Sequence, residues 1–333
     1  MRQKILNPFF IILFTVFFLP YTSKLKAAEK DDYIFYHKQV MLAEEFIAEE
    51  QFEDALSIYD ELFSSYDFTF LRDYQVASQL ALHLGQKEKA LTYVREGILT
   101  GWEMKSINRN DFLAPLREGQ AWKVLEAEYS SLREKYESSL DSKLQERVKK
   151  MYSQDQKKAL KALFKLSSKS QDRYAENKFA PHSEMQMEEL INILNTRGYP
   201  GEKLIGNDYW MSTILSHHNS ISQNYAKQDT LYPGLQPKLM QALQKGEVSP
   251  YELALIDEWR RSTLREDPRI GYAILNPPAH GMAAHSNELR KSVYLRSIEA
   301  HNSLLDIQEK SGMDFYLPDG WIKGKIEIKP ELD

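Results

Sequence analysis

"MLAEEFIAEEQFEDALSIYDELF", Met41 to Phe63, decides the fold. Its apolar residues recur at intervals of three and four on either side of the polar "AEEQ" at residues 48–51, the mark of two amphipathic helices joined by a tight turn. Ala43 and Ala55 are small residues, and each is followed by an aromatic one, Phe46 and Tyr59. Antiparallel helices approach closely only where such small side chains face one another; a larger residue at 43 or 55 would push them apart.

The pattern returns 35 residues later. "VASQLALHLGQKEKALTYVREGI" puts Gly85 in the turn and Ala90 where Ala55 stood. A degenerate third unit runs from Gly101 to Tyr129, with Asp111, Phe112, Leu116 and Trp122 at turn and packing positions. Residues 32–135 therefore resemble a tetratricopeptide-type array. The resemblance implies stacked helical hairpins with a shared core and a concave face, suited either to a protein or peptide partner or to the rest of the chain.

Ahead of the array, Arg2 and Lys4 precede the apolar "FFIILFTVFFL" at residues 9–19, which Pro20 ends. That run is shorter than the roughly 20 residues that span a bilayer. Ala27 and Ala28 offer small residues for cleavage, so residues 1–28 read as a signal peptide and the protein as exported, periplasmic or envelope-associated. Cysteine is absent, which excludes disulfides, thiolate metal sites and a lipoprotein anchor. Removing the leader takes four of the 43 basic residues and none of the 48 acidic ones, deepening the net charge from −5 to −9. Such a chain is a poor match for nucleic acid. No other segment of the mature chain could span a membrane.

Beyond the array, the polar stretch from Ser130 to Ser168 carries Leu140, Leu144, Val148, Met151, Leu160, Leu163 and Phe164 at helical spacing, with Ser138-Ser139 as the boundary. Further helices are expected near 183–197, 208–228, 235–245, 250–265 and 287–310. Ser249, Pro250 and Glu252 form a capping-box start. Residues 266–287 lack periodicity and read as one long loop. "DFYLPDGWIKGKIEIK" alternates around a Pro-Asp-Gly turn and predicts a small hairpin that the 319–333 tail completes. The fold class is all-α: a short tetratricopeptide-like array over 32–135, then a helical domain over 140–318.

That second part also resembles an uncharacterised bacterial domain family found in exported proteins, through Asp155-Gln156, Gly198-Tyr199-Pro200, Gly206, His218, Gly246-Glu247 and Asp257. The family has no established activity, so the resemblance implies a shared fold. This chain has His217 where the family has glutamine, Glu258 after the aspartate where it has arginine, and Gly271-Tyr272 near its Tyr-Gly pair.

On a helical wheel His218 falls at the centre of the apolar face made by Trp210, Met211, Ile214, Leu215, Ile221 and Tyr225, with His217 at the edge. His218 reads as a neutral core residue or as the base of a site, with Asp257 or Asp155 as carboxylate partner. Asp257 can equally pair with Arg261 one turn on. Gly198, Pro200 and Gly206 shape a turn or present backbone N–H groups to a ligand. A metal held by His218, Asp257 and a loop histidine, His280 or His285, would require only three N/O ligands, but no spacing demands one and no cofactor motif occurs. Two functions follow as expectations: an exported interaction protein with a partner on the array, or a hydrolase using His218 as base, Asp257 to orient it and the "NPPAHGMAAH" loop as a lid.

Overall fold

The computed structural model describes residues 32–165, 167–264, 271–318 and 320–328, and the expected leader lies outside them. Among the described residues the chain is helical and has no strand. Helix α1 (Tyr33–Ala48) packs on α2 (Phe52–Ser65), and α3 (Leu71–His83) on α4 (Lys87–Leu99). Ala43, Ala55, Ala77, Ala81 and Ala90 are fully buried, so these helices meet nearly backbone to backbone.

The degenerate third unit starts in short pieces, α5 (Met104–Arg109) and α6 (Ala114–Arg117). Asn110 interrupts it by capping Leu113 N–H, while Arg117 takes the carbonyls of Ile107 and Asn110. Helix α7 (Gln120–Ser139) then packs on α4 and buries Trp122, Leu125 and Leu132.

The chain breaks at Leu140-Asp141, just past the expected boundary. Asp141 caps α8 (Ser142–Leu163) by accepting from Leu144 N–H at 3.0 Å. There follow α9 (Ser168–Tyr174), a single π turn over 175–179, and α10 (Ala180–Thr196). After α11 (Glu202–Ile205), the helix expected over 208–228 is two, α12 (Trp210–Asn219) and α13 (Gln223–Gln228), because Ser222 turns its hydroxyl to cap Tyr225 N–H. Next come α14 (Leu231–Gln244) and α15 (Pro250–Leu264).

The helix expected over 287–310 is also two, α16 (Ala283–Ser292) and α17 (Ile298–Ser311). Tyr294 adopts φ +60° between them, and Ser297 caps the second. The long loop is correspondingly shorter. Its described part is fastened: Glu258 accepts the N–H groups of Tyr272, Ile274 and Leu275, and Arg290 donates to Tyr272 O. These bonds fix residues 272–275, ahead of the "NPPAHGMAAH" stretch at 276–285.

Two apolar cores result. The second is built from α8 to α15 around Leu215, Tyr232 and Leu243. The first is built from α1 to α7, yet it is completed by Leu304, Ile307, Met313 and Phe315 from the far end of the chain. Burying Phe315 alone contributes about 1.5–3 kcal/mol.

The hairpin expected after Met313 does not form among the described residues, and Asp319 in its turn lies outside them. Its backbone finds other partners. Gln79 bonds both the N–H and the carbonyl of Asp314, Gln308 accepts from Phe315 N–H, Arg72 donates to Phe315 O, and Asn302 brackets Ile326. Amide side chains thus do the work of a second strand.

Candidate functional site

His218 lies between α10 and α14 with about 1 % of its surface exposed. Its Nδ1 shares a 2.9 Å hydrogen bond with Ser183 Oγ, and its Nε2 lies 3.4 Å from Asp229 Oδ1, a charge contact bent away from hydrogen-bond geometry. Asp229 also accepts from Leu231 N–H at 2.8 Å and pairs with Arg260 at 2.7 Å. Burial opposes its ionisation, but His218, Leu231 N–H and Arg260 together hold it below the usual carboxylate range.

The expected His218–Asp257 pair is not made. Asp257 is occupied by Arg261 at 2.6 Å, Gln236 at 2.9 Å and the hydroxyls of Tyr272 and Tyr232 at 3.1 and 3.3 Å. Asp155 bonds the other histidine, His217 Nδ1, at 2.5 Å. Adjacent residues diverge around a helix, so α12 sends His218 inward and His217 toward α8.

Gly198 and Gly206 have φ of +94° and +93°, and a Cβ at either would collide, with the Glu247 carboxylate or the Tyr136 hydroxyl. The Tyr199 N–H between Gly198 and the buried Pro200 goes to Glu247 at 2.8 Å. Of the three turn residues, Gly206 alone lines a cavity. Among the described residues no three histidine, aspartate or glutamate side chains converge as a metal requires, and His280 and His285 are exposed.

That cavity, about 150 Å³, lies where the two halves meet. Helices α1 and α3 supply Tyr36, His37, Glu44, Arg72 and Asp73; α11 and α15 supply Glu202, Tyr251 and Glu252; the α16–α17 turn supplies Tyr294 and Arg296. Five carboxyl groups, counting Asp208 at the rim, face two arginines. Glu44 Oε1 takes both guanidinium groups, Arg72 at 2.6 Å and Arg296 at 2.9 Å. Burial works against the Glu44 charge, and the two arginines overcome it and hold the carboxyl low.

The remaining acids are less well matched. Asp73 accepts the Tyr36 hydroxyl, yet burial raises it to about 6 despite that bond and nearby Arg72. Glu252 accepts the Tyr199 hydroxyl at 2.8 Å, and burial raises it to about 7. Ser249 does cap Glu252 N–H, but the expected capping box stays half made because the carboxyl points to Tyr199. Glu202 accepts Leu71 N–H at 2.6 Å; burial, Asp73 and Glu252 raise it to about 8. Glu202 is half-buried and lines the cavity. His37 is driven the other way, to about 4, and gives Nε2–H to Leu243 O at 3.1 Å.

Tyr209, Tyr251, Tyr316 and Pro318 also line an adjoining groove of about 530 Å³, with Trp259, Trp321, Ser216 and His217. Tyr209 and Trp321 are more than half exposed there. Reading the sequence missed Glu44, Arg72, Asp73, Glu202 and Arg296 as site residues. A signal existed for two of the cavity residues: His37 and Glu44 fall on the stripe Tyr33, Tyr36, Val40, Ala43 and Ile47 that α1 turns inward. No family model, curated protein or solved structure matches this chain.

Proposed function

We propose that the protein is an exported binding protein whose ligand enters the cavity between the array and the second half and extends into the adjoining groove. One observation carries this: the cavity gathers charged and phenolic side chains from both halves, two of them carboxyls that accept from a backbone N–H and a phenol, where a merely structural junction would be apolar or closed by ion pairs. The leader over residues 1–28 supports export. In this reading the array forms one wall of the site, and the partner it receives is the chain's own α17 and residues 313–317.

Native mass spectrometry after incubation with a metabolite extract tests the proposal. Wild type should retain a small molecule that Val40→Phe, which fills the cavity from α1, releases. Retention of nothing by folded wild type would sink it.

A hydrolytic reading is favoured by one observation. His217 borders the groove and is backed by Asp155, which is fully buried, as a carboxylate-oriented base would be. Hydrolysis of 4-nitrophenyl acetate above the solvent rate, lost in His217→Gln with unchanged melting, would support it; no such turnover by wild type removes it.

A further inference from the structure

We propose that the cavity binds a small α-amino acid as its zwitterion, with the ammonium group between Glu202 and Glu252 and the carboxylate on Arg296. The proposal rests on the cavity being a ligand site and adds the class of ligand.

The charges indicate which groups lack a partner. Glu44 is matched by two arginines, and Asp73 has Tyr36 and the field of Arg72. Glu202 is held by a backbone N–H and Glu252 by a phenol, and neither has a positive group among those that perturb it. Two buried carboxyls in one cavity ionise only at a cost, which an entering ammonium would relieve.

Arg296 points to the other end of the ligand. Its side chain is only 5 % exposed, its Nη1 holds Glu44, and its Nε has no acceptor. It shares that one carboxylate oxygen with Arg72, so its own charge is only partly balanced. A ligand carboxylate supplies both the acceptor and the charge. Burial and the neighbouring Arg72 press the same way, lowering Arg296 to about 10 against the pull of Glu44.

Size and lining fit the same class. A cavity of about 150 Å³ is one that holds a molecule the size of benzene, about six non-hydrogen atoms, which suits alanine or serine, and a larger side chain would have to lie in the adjoining groove. Tyr209, Tyr251 and Tyr294 supply ring faces and hydroxyls around an ammonium group. A lone amine would leave Arg296 unmatched, and a lone carboxylate would add to the acid excess.

Isothermal titration of the full mature chain with glycine, alanine and serine, beside ethylamine and propionate, tests the assignment. Alanine or serine should bind with submillimolar affinity, at least tenfold tighter than ethylamine or propionate. Glu202→Gln and Glu252→Gln, which keep shape and remove charge, should each weaken binding at least tenfold. Repeating the titration at pH 7.5 in buffers of different ionisation heat should reveal proton release, since the ammonium group lets the glutamates ionise. Equal binding of ethylamine or propionate would overturn the proposal, as would binding without proton release. Failure of all the amino acids while another metabolite is retained would overturn this ligand class and leave the binding site standing. Failure of every ligand would remove both.

Discussion

Asp229 and Glu202 are both acids enclosed by helices, and they titrate in opposite directions. Around Asp229 each charge is met: His218 on one side, Arg260 on the other, a backbone N–H beneath. Around Glu202 the neighbours are Asp73 and Glu252, and the only bond is to Leu71 N–H. The first cluster matches its carboxylate with a cation and a backbone N–H and joins α12, α14 and α15. The second stays unfinished and faces a cavity. A buried polar group that needs nothing more is architecture, whereas one that lacks a partner marks where a partner can come. His218, the histidine most prominent in the sequence, bonds Ser183 and lies beside Asp229, and its Nε2 has no hydrogen-bond partner.

The comparison breaks most severely where a matched charge is stripped. Glu44→Ala leaves Arg72 and Arg296 facing each other in the interior, and urea unfolding at pH 7 should show a loss of about 3–5 kcal/mol. Asp229→Ala deserts Arg260 and His218 in the same way and should cost about as much. A loss below 1 kcal/mol in either would mean that the pair is not desolvated in solution.

The unmatched side should respond with the opposite sign. Glu202 in the fold titrates near 8 against 4.5 for an ordinary glutamate, and Glu252 near 7. From 4.5 upward the unfolded chain releases these protons first, so stability falls with pH until the folded groups have ionised. His37 and His301, lowered by burial to about 4 and about 3, act in reverse: below 6.5 the unfolded chain takes up their protons first, and stability falls as pH falls. The two effects oppose each other between 4.5 and 6.5, and only the glutamates act from 6.5 to 8. Asp73, raised to about 6, acts with the glutamates in the lower window, so stability should decline slightly there and more clearly in the upper one. Glu202→Gln should flatten that decline and be about 2 kcal/mol more stable than wild type at pH 8.5. An unaltered profile in the variant would return Glu202 to the ordinary carboxylates.

How much of this was readable in advance depends on the range of each interaction. The alanines at 43, 55 and 90 could be read because helix pairing leaves a local spacing, and the helix break at Leu140-Asp141 falls beside the Ser138-Ser139 boundary for the same reason. Glu252 was visible but misassigned, since one spacing from Ser249 serves a capping box or a buried carboxyl equally well. Arg296 could not be paired with Glu44, because nothing in a single chain links residues 252 positions apart. The tail after Met313 alternates like a strand, yet its backbone bonds Gln79 and Asn302, which lie in helices that no local pattern connects to it.

The smallest effect sharpens the comparison furthest, because it holds location constant and changes only exposure. Two ion pairs tie the α1 region to the last third of the chain: Glu44 with Arg296, and Glu50 with Lys310 at 2.5 Å. The first is about 95 % enclosed on both sides, while the second leaves half or more of each side chain in water. Water screens the exposed pair, and holding two long side chains together costs entropy that offsets most of the attraction. Lys310→Ala should therefore change unfolding free energy by less than about 0.5 kcal/mol, and 0.5 M salt should change wild type and variant alike. If Lys310→Ala costs as much as Glu44→Ala, the strength of these contacts comes from joining the two ends of the chain and not from burial. The contrast between Asp229 and Glu202 would then lose its physical basis.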